Sequence, residues 1–157
     1  MAPLTVRPAR DSDLDRLVAF NLAMARETED HGLDEAALRS GMQRALRDAE
    51  RGSYSVAELS GEVVGCLLVT REWSDWRDRW FWWIQSVYVA PQARRRGVYR
   101  ALHQAVLDAA AAAGDVCGVR LYVDAENRAA QATYAELGMR QARYLMFEQM
   151  LARPGMR

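Results

Sequence analysis

The chain is 157 residues long, half of them hydrophobic and 27% charged, which fits one globular domain and excludes a disordered chain or a fibre. Lys plus Arg and Asp plus Glu both number 21, so the formal net charge is zero. That balance argues against nucleic acid or an acidic membrane as partners. Two cysteines, Cys66 and Cys117, and two histidines, His31 and His103, are too few and too scattered for a disulfide framework or a zinc site. The opening MAPLTVRPAR lacks the apolar core of a signal peptide, and no run approaches the ~20 apolar residues of a membrane span. The expectation is a cytoplasmic single domain over residues 1–157.

In chain order, residues 4–8 alternate weakly and predict a first strand. Asp11 or Ser12 then caps a helix with Leu14, Leu17, Val18, Leu22 and Met24 near helical spacing. Asp34 opens a second helix, with Leu38, Met42, Ala45 and Leu46 on one face. Residues 54–59 and 63–70 read as strands joined by Ser60-Gly61, a hairpin turn. Residues 73–79, polar and aromatic, read as a connecting loop. Residues 80–89 are the most strand-like stretch, rich in aromatic and β-branched side chains and ended by Pro91. A long helix over 97–113, a strand over 119–123, a helix over 128–137 stopped by Gly138 and a last strand over 144–150 complete the chain. Three consecutive strands followed by a strand–helix–strand crossover predict an α/β (α+β) fold, a mixed sheet with helices on both faces.

Most of the chemical information sits after the strand ending at Val89. There the loop carries Arg94, Arg95, Arg96 and Gly97, and a helix begins with Val98, Tyr99 and Arg100. A helix start leaves backbone N–H groups unpaired and carries partial positive charge, so it suits a phosphate or diphosphate. Gly97 permits close backbone approach, and the arginines add charge-assisted donors. A solvated basic turn is the competing reading. The dinucleotide fingerprint, with three glycines, and the Gly-Lys-Ser/Thr triphosphate loop are both absent.

This segment resembles motif A of the GCN5-related N-acetyltransferases, Arg/Gln-x-x-Gly-x-Gly/Ala after a strand and a proline loop. Arg94 and Gly97 match the first two positions, while Tyr99 stands where the family has Gly or Ala. The stretch 127–139 resembles the family's motif B, with Asn127 after the fifth strand and Tyr134 followed by Gly138-Met139. Asn127 and Tyr134 lie seven residues apart, two helical turns, so their side chains share a face. The order of elements resembles the family's along nearly the whole chain.

The resemblance implies a mostly antiparallel mixed sheet and direct transfer of an acetyl group from acetyl-CoA to a primary amine. It further implies that Val87, Tyr88 and Val89 present backbone groups to the pantetheine arm. Arg95, Arg96, Gly97, Val98, Tyr99 and Arg100 would hold the pyrophosphate through backbone groups, with Asn127 also facing the cofactor. Tyr134 would donate a proton to the departing thiolate, and an N–H near the end of the strand would stabilise the oxyanion. Some relatives carry a glutamate on the strand before motif A; here the corresponding Trp82-Trp83-Ile84-Gln85-Ser86 has none. Glu27 and Glu29 are the candidates for the general base. For the acceptor, Trp73, Asp75 and Trp76, with Glu27, Glu29 and Asp30, predict an aromatic, acidic cup for a cationic small molecule or peptide, and Gln85 is a further substrate-binding candidate. A noncatalytic acyl-CoA-binding or sensing module on the same fold is the alternative. By analogy with relatives, the strand over 144–150 pairs or swaps in a homodimer.

Overall fold

The computed structural model describes residues 3–28 and 32–152. The chain divides into two compact units, Met1–Tyr122 and Val123–Arg157, described in turn. In the first unit the elements are β1 (Leu4–Pro8), α1 (Leu14–Thr28), α2 (Glu35–Arg47), β2 (Ser53–Leu59), β3 (Glu62–Ser74), β4 (Arg79–Val89), α3 (Val98–Ala113) and β5 (Val116–Leu121). They build one sheet in the order β1-β2-β3-β4-β5, antiparallel except for the parallel β4–β5 pair that α3 connects. The predicted mixed, mostly antiparallel sheet is thus the observed one.

Local chemistry explains the element ends. Asp34 caps α2 by accepting a hydrogen bond from the Ala37 N–H at 3.1 Å. Ser60 and Gly61, at φ 56° and 80°, form the tight turn between β2 and β3. Two boundaries differ from expectation. Trp73 and Ser74 belong to β3 and Arg79 to β4, so the loop shrinks to residues 75–78; Trp73 pairs with Trp80, their rings meeting edge-on at 4.9 Å. β5 runs from Val116 to Leu121 rather than over 119–123, and Gly118 within it makes room for the Phe81 ring. A Cβ at Gly118 would lie 2.9 Å from that ring.

Both sheet faces are covered. Leu17, Val18 and Phe20 of α1 and Met42 of α2 pack on Tyr54, Val56, Cys66 and Tyr88. On the opposite face Val98, Leu102 and Val106 of α3 pack on Ala57, Val64, Leu67, Val69 and Ile84. Gly65 sets how closely the start of α3 approaches: a Cβ there would meet the Val98 side chain at 2.9 Å and the Tyr88 carbonyl at 3.2 Å. Any larger residue would push the α3 N-terminus off β4.

Arg7 on β1 ties the edge of the sheet to the turn before α1. Its guanidinium donates to both Asp13 carboxylate oxygens, at 2.8 and 3.0 Å, and to Glu58 at 2.8 Å. Asp13, nearly buried, also accepts from the Arg10 N–H at 2.7 Å. These bonds, Arg7 foremost, hold its carboxyl below the ordinary value of 3.8. Replacing Arg7 with Leu strands a buried carboxylate, so stability at pH 7 falls by about 2–4 kcal/mol in urea melts. Because the folded carboxyl titrates lower than the unfolded one, this stabilisation is complete above about pH 4 and fades as pH falls through the depressed value. The gap between variant and parent therefore narrows below that pH.

The second unit contains α4 (Arg128–Glu136), capped by the Asn127 side chain, which accepts from the Ala130 N–H at 3.1 Å. Gly138, at φ 91°, ends the helix, and the Met139 N–H returns to the Tyr134 carbonyl at 3.0 Å. Residues 144–150 form no strand, contrary to expectation. Tyr144, Leu145, Met146 and Phe147 follow one another without a polar residue between them, and among the described residues no neighbouring strand pairs with the segment.

Candidate active site

β4 determines the geometry of the site. It pairs with β5 only from Trp80 to Ile84, the last pair being Ile84 with Leu121. Beyond Ile84, residues 85–89 bond to β3 on one side and present an edge on the other. At that point the strand bulges: Leu68 opposes Gln85 and Cys66 opposes Tyr88, so β4 spends one extra residue, with Ser86 at φ 50°. A non-glycine residue in this conformation costs on the order of 1 kcal/mol. Buried neighbours hold it there: the Cys66 thiol lies 3.8 Å from the Ser86 carbonyl, and Tyr54 hydrogen-bonds to the Ser86 side chain. Burial pushes the Cys66 thiol up to about 12 and the Tyr54 phenol up to about 12, so both stay neutral. The extra residue also switches the alternation, sending Tyr88 to the α1 side while Val87 and Val89 pack toward α3.

After Val89 the chain makes a 3-10 turn, Pro91–Ala93, and enters the loop at the start of α3. Arg95 at φ 60° and Gly97 at φ 77° flank Arg96, whose φ is negative. Alternating handedness turns successive N–H groups toward one side, making an anion-binding concavity. The helix's own ladder begins with the Ala101 N–H bonded to the Gly97 carbonyl at 3.0 Å, so the preceding turn adds its N–H groups and the helix dipole. Arg94, Arg95, Arg96, Gly97 and Arg100 are exposed, whereas Val98 is buried under the sheet and Tyr99 is half-buried beside His103. His103 itself is buried on α3, and desolvation lowers its pKa, keeping it neutral.

Arg94 turns away from the loop. Its guanidinium donates to Glu27 at 2.7 Å and to the Val89 carbonyl at 3.0 Å, and lies 5.5 Å from the centre of the Tyr88 ring. The Tyr88 hydroxyl donates to the other Glu27 oxygen at 2.9 Å. Arg94, then Tyr88, holds the Glu27 carboxyl below its usual range, which makes it a weaker base. Glu27 therefore staples α1 to the end of β4, with both of its carboxylate oxygens bonded there. Glu29, Asp30 and His31 lie outside the described residues.

Among the described residues, those expected to form the aromatic, acidic cup lie toward opposite ends of β4. Trp73, Asp75 and Trp76 sit at the closed end of the β3–β4 hairpin, all three exposed, with Asp75 bonded to the Trp76 N–H. Trp80, the partner of Trp73, and Tyr88, the partner of Glu27, are eight residues apart on β4, roughly 25 Å at ~3.3 Å per residue. Gln85, by contrast, lies at the bulge, its amide donating to the Thr70 hydroxyl at 2.5 Å. In the second unit, Tyr134 is half-buried on α4 and burial raises its pKa above the ordinary 10, while Asn127 is exposed and occupied as the helix cap. Ser86, Tyr54 and Cys66 were not foreseen, since nothing local in the sequence marks a serine as the bulged residue.

β4 thus parts from β5 after Ile84 and runs into the loop at the start of α3. The model of the acetyltransferase (GNAT) family matches residues 17–139. The chain belongs to this family. Among solved structures, a possible acetyltransferase from Clostridium difficile 630 is 39% identical, covering 96% of this chain and 99% of its own, with a TM-score of 0.89. At lower identity, the GNAT fold is shared by a GCN5-related N-acetyltransferase from Ralstonia eutropha JMP134, at 22% identity, 94% and 99% coverage and a TM-score of 0.77. It is also shared by AAC(6')-Iy in complex with a CoA-S-monomethyl-acetylneamine bisubstrate analogue, at 18% identity, 96% and 100% coverage and a TM-score of 0.76. No curated protein matches the chain significantly. Among the described residues of this GNAT chain, no helix is long and apolar enough to cross a membrane.

Proposed function

We propose that the chain acts as a single N-acetyltransferase domain in the cytoplasm, transferring an acetyl group directly from acetyl-CoA to a primary amine of a small molecule or peptide. The observation that carries this reading is the β4 edge from Gln85 to Val89, released from β5 and leading straight into the Arg95–Gly97 concavity. Acetyl-CoA, when bound, supplies the acetyl group as a thioester. Main-chain N–H groups of Arg95, Arg96, Gly97, Val98, Tyr99 and Arg100 hold its diphosphate. Val87, Tyr88 and Val89 offer main-chain groups to its amide-bearing arm in the manner of an added strand. An N–H at the bulge stabilises negative charge on the acyl oxygen, and Gln85 serves the acceptor side.

Asn127 and Tyr134 enter the proposal through motif B. The Tyr134 Oη holds its proton throughout the neutral range, because burial raises its pKa, and releases it toward the departing sulfur. With Glu27 committed to Arg94 and Tyr88, no described carboxylate is assigned as base, and the acceptor amine loses its proton to water. The chain works as a homodimer, a reading supported by the large apolar side chains exposed over 144–151.

Release of CoA thiol from acetyl-CoA across a panel of primary amines tests the activity. At least one amine gives saturable release that boiled protein does not. Tight CoA binding with no release from any amine contradicts transfer and favours a noncatalytic sensing module.

A further inference from the structure

Among the described residues, Phe81 and Trp83 of β4 belong to neither of the helix-covered cores. Residues directly opposed across strands share a face, so Thr70, Trp83 and Arg120 lie on one side with Glu72, Phe81 and Gly118. Val69, Ile84, Val119 and Leu121 lie on the other side, in the core under α3. On the first side, guanidinium groups cover the Phe81 ring: Arg120 lies 3.5 Å and Arg77 5.1 Å from its centre.

This face ends at the fork between β4 and β5. Ile84 and Leu121 are the last pair of the two strands, and Trp83 precedes that pair while Tyr122 follows it. The rings of Trp83 and Tyr122 stack there, their centres 4.5 Å apart and their planes at 29°. Tyr122 is nonetheless 59% exposed, so the stack is open to a third ring. Arg120, opposite Trp83, reaches Glu72 through Nη1 at 2.8 Å, which leaves its other guanidinium nitrogens for a second acceptor. On the strands of this face Glu72 is the one carboxylate, against Arg79 and Arg120, and Arg77 leans over it from the turn. Asp75 and Asp78 belong to the turn at the far end. The result is an aromatic pair beside an excess of positive charge.

Resting on the acetyl-transfer reading above, we infer that this face binds the acceptor, an amine bearing an aromatic ring and a carboxylate, the chemistry of an aromatic amino acid. The ring extends the Trp83–Tyr122 stack, and the carboxylate pairs with Arg120. The amine then sits at the fork, where the released edge of β4 begins. An aliphatic amine forgoes the stack. An amine without an acid leaves the positive charge unmatched.

CoA-thiol release from phenylalanine, leucine and phenethylamine separates the two contacts, since leucine lacks the ring and phenethylamine the carboxylate. Phenylalanine exceeds each of the others in kcat/KM by about tenfold or more. Tyr122→Leu costs phenylalanine about tenfold, expressed in KM, and Arg120→Gln abolishes its advantage over phenethylamine. Both variants keep the Kd for CoA within about twofold of the parent, which shows that they fold. Calorimetric titration of the parent and CoA with N-acetyl-phenylalanine reads the same face without turnover, and N-acetyl-leucine binds about tenfold more weakly. Equal or reversed kcat/KM among the three amines overturns the inference and leaves acetyl transfer standing. No release from any amine, with N-acetyl-phenylalanine still preferred in titration, contradicts transfer and upholds the binding face. Neither release nor binding overturns both.

Discussion

Replacing Tyr134 with Phe lowers kcat by roughly 100-fold or more while the Kd for CoA stays within about twofold, the range expected when a positioned proton donor is lost. The substitution keeps the ring that half-buries the side chain in α4 and removes only the hydroxyl, so helix and cap are preserved. The size of the effect follows from the leaving group. A thiolate leaves with full negative charge unless a proton is offered as the bond breaks, and water at a confined site offers it poorly. Burial raises the phenol above its ordinary 10, so the donor remains protonated from pH 6 to 9 and contributes no alkaline loss of kcat there. Steady-state kinetics with an amine from the panel, beside calorimetric titration of CoA, measures both quantities. Unchanged turnover would assign the proton to another group or to water.

Replacing Gly97 with Asp weakens CoA binding by roughly 10- to 100-fold, equivalent to about 1.4–2.7 kcal/mol. A Cβ at Gly97 meets nothing within 4 Å, so the new side chain reaches open space and the fold is kept. The backbone there, at φ 77°, is strained for any L residue, although Asp and Asn tolerate it best. Gly97→Asn therefore carries the same strain without the charge and weakens binding only about threefold at most. The difference between the two variants isolates repulsion at the helix start, shrinks with added salt, and vanishes for pantetheine, which has no diphosphate. Equal affinity of the Asp variant and the parent for CoA would remove the diphosphate from this loop.

What the sequence revealed depended on how local each signal was. The Asp34 cap, the Ser60-Gly61 turn and Gly97 before α3 are decided by one or two residues, and each lies where it was expected. The strand over 80–89 was legible because its composition is extreme, and it differs by a single residue, Arg79. The extension of β3 through Arg71, Glu72 and Trp73 was not, because its stability comes from partners across the hairpin. Arg120, from β5, bonds to Glu72 at 2.8 Å and lies 3.5 Å over the centre of the Phe81 ring. The staple of Glu27, Tyr88 and Arg94 joins residues more than sixty positions apart, beyond any local pattern. The bulge at Ser86 depends on Tyr54 and Cys66 from two other strands, so the residue that shapes the candidate site was the least legible of all. Residues 144–150 show the converse failure, a composition that reads as a strand while none of the described residues pairs with it.

The most direct measurement is a crystal structure of the protein with CoA. It should show the diphosphate oxygens within hydrogen-bond distance of the main-chain N–H groups of residues 95–100, and the amide-bearing arm lying along Gln85 to Val89 on the side that β5 has left. CoA bound anywhere else, with this loop and edge in contact only with water, would contradict the account.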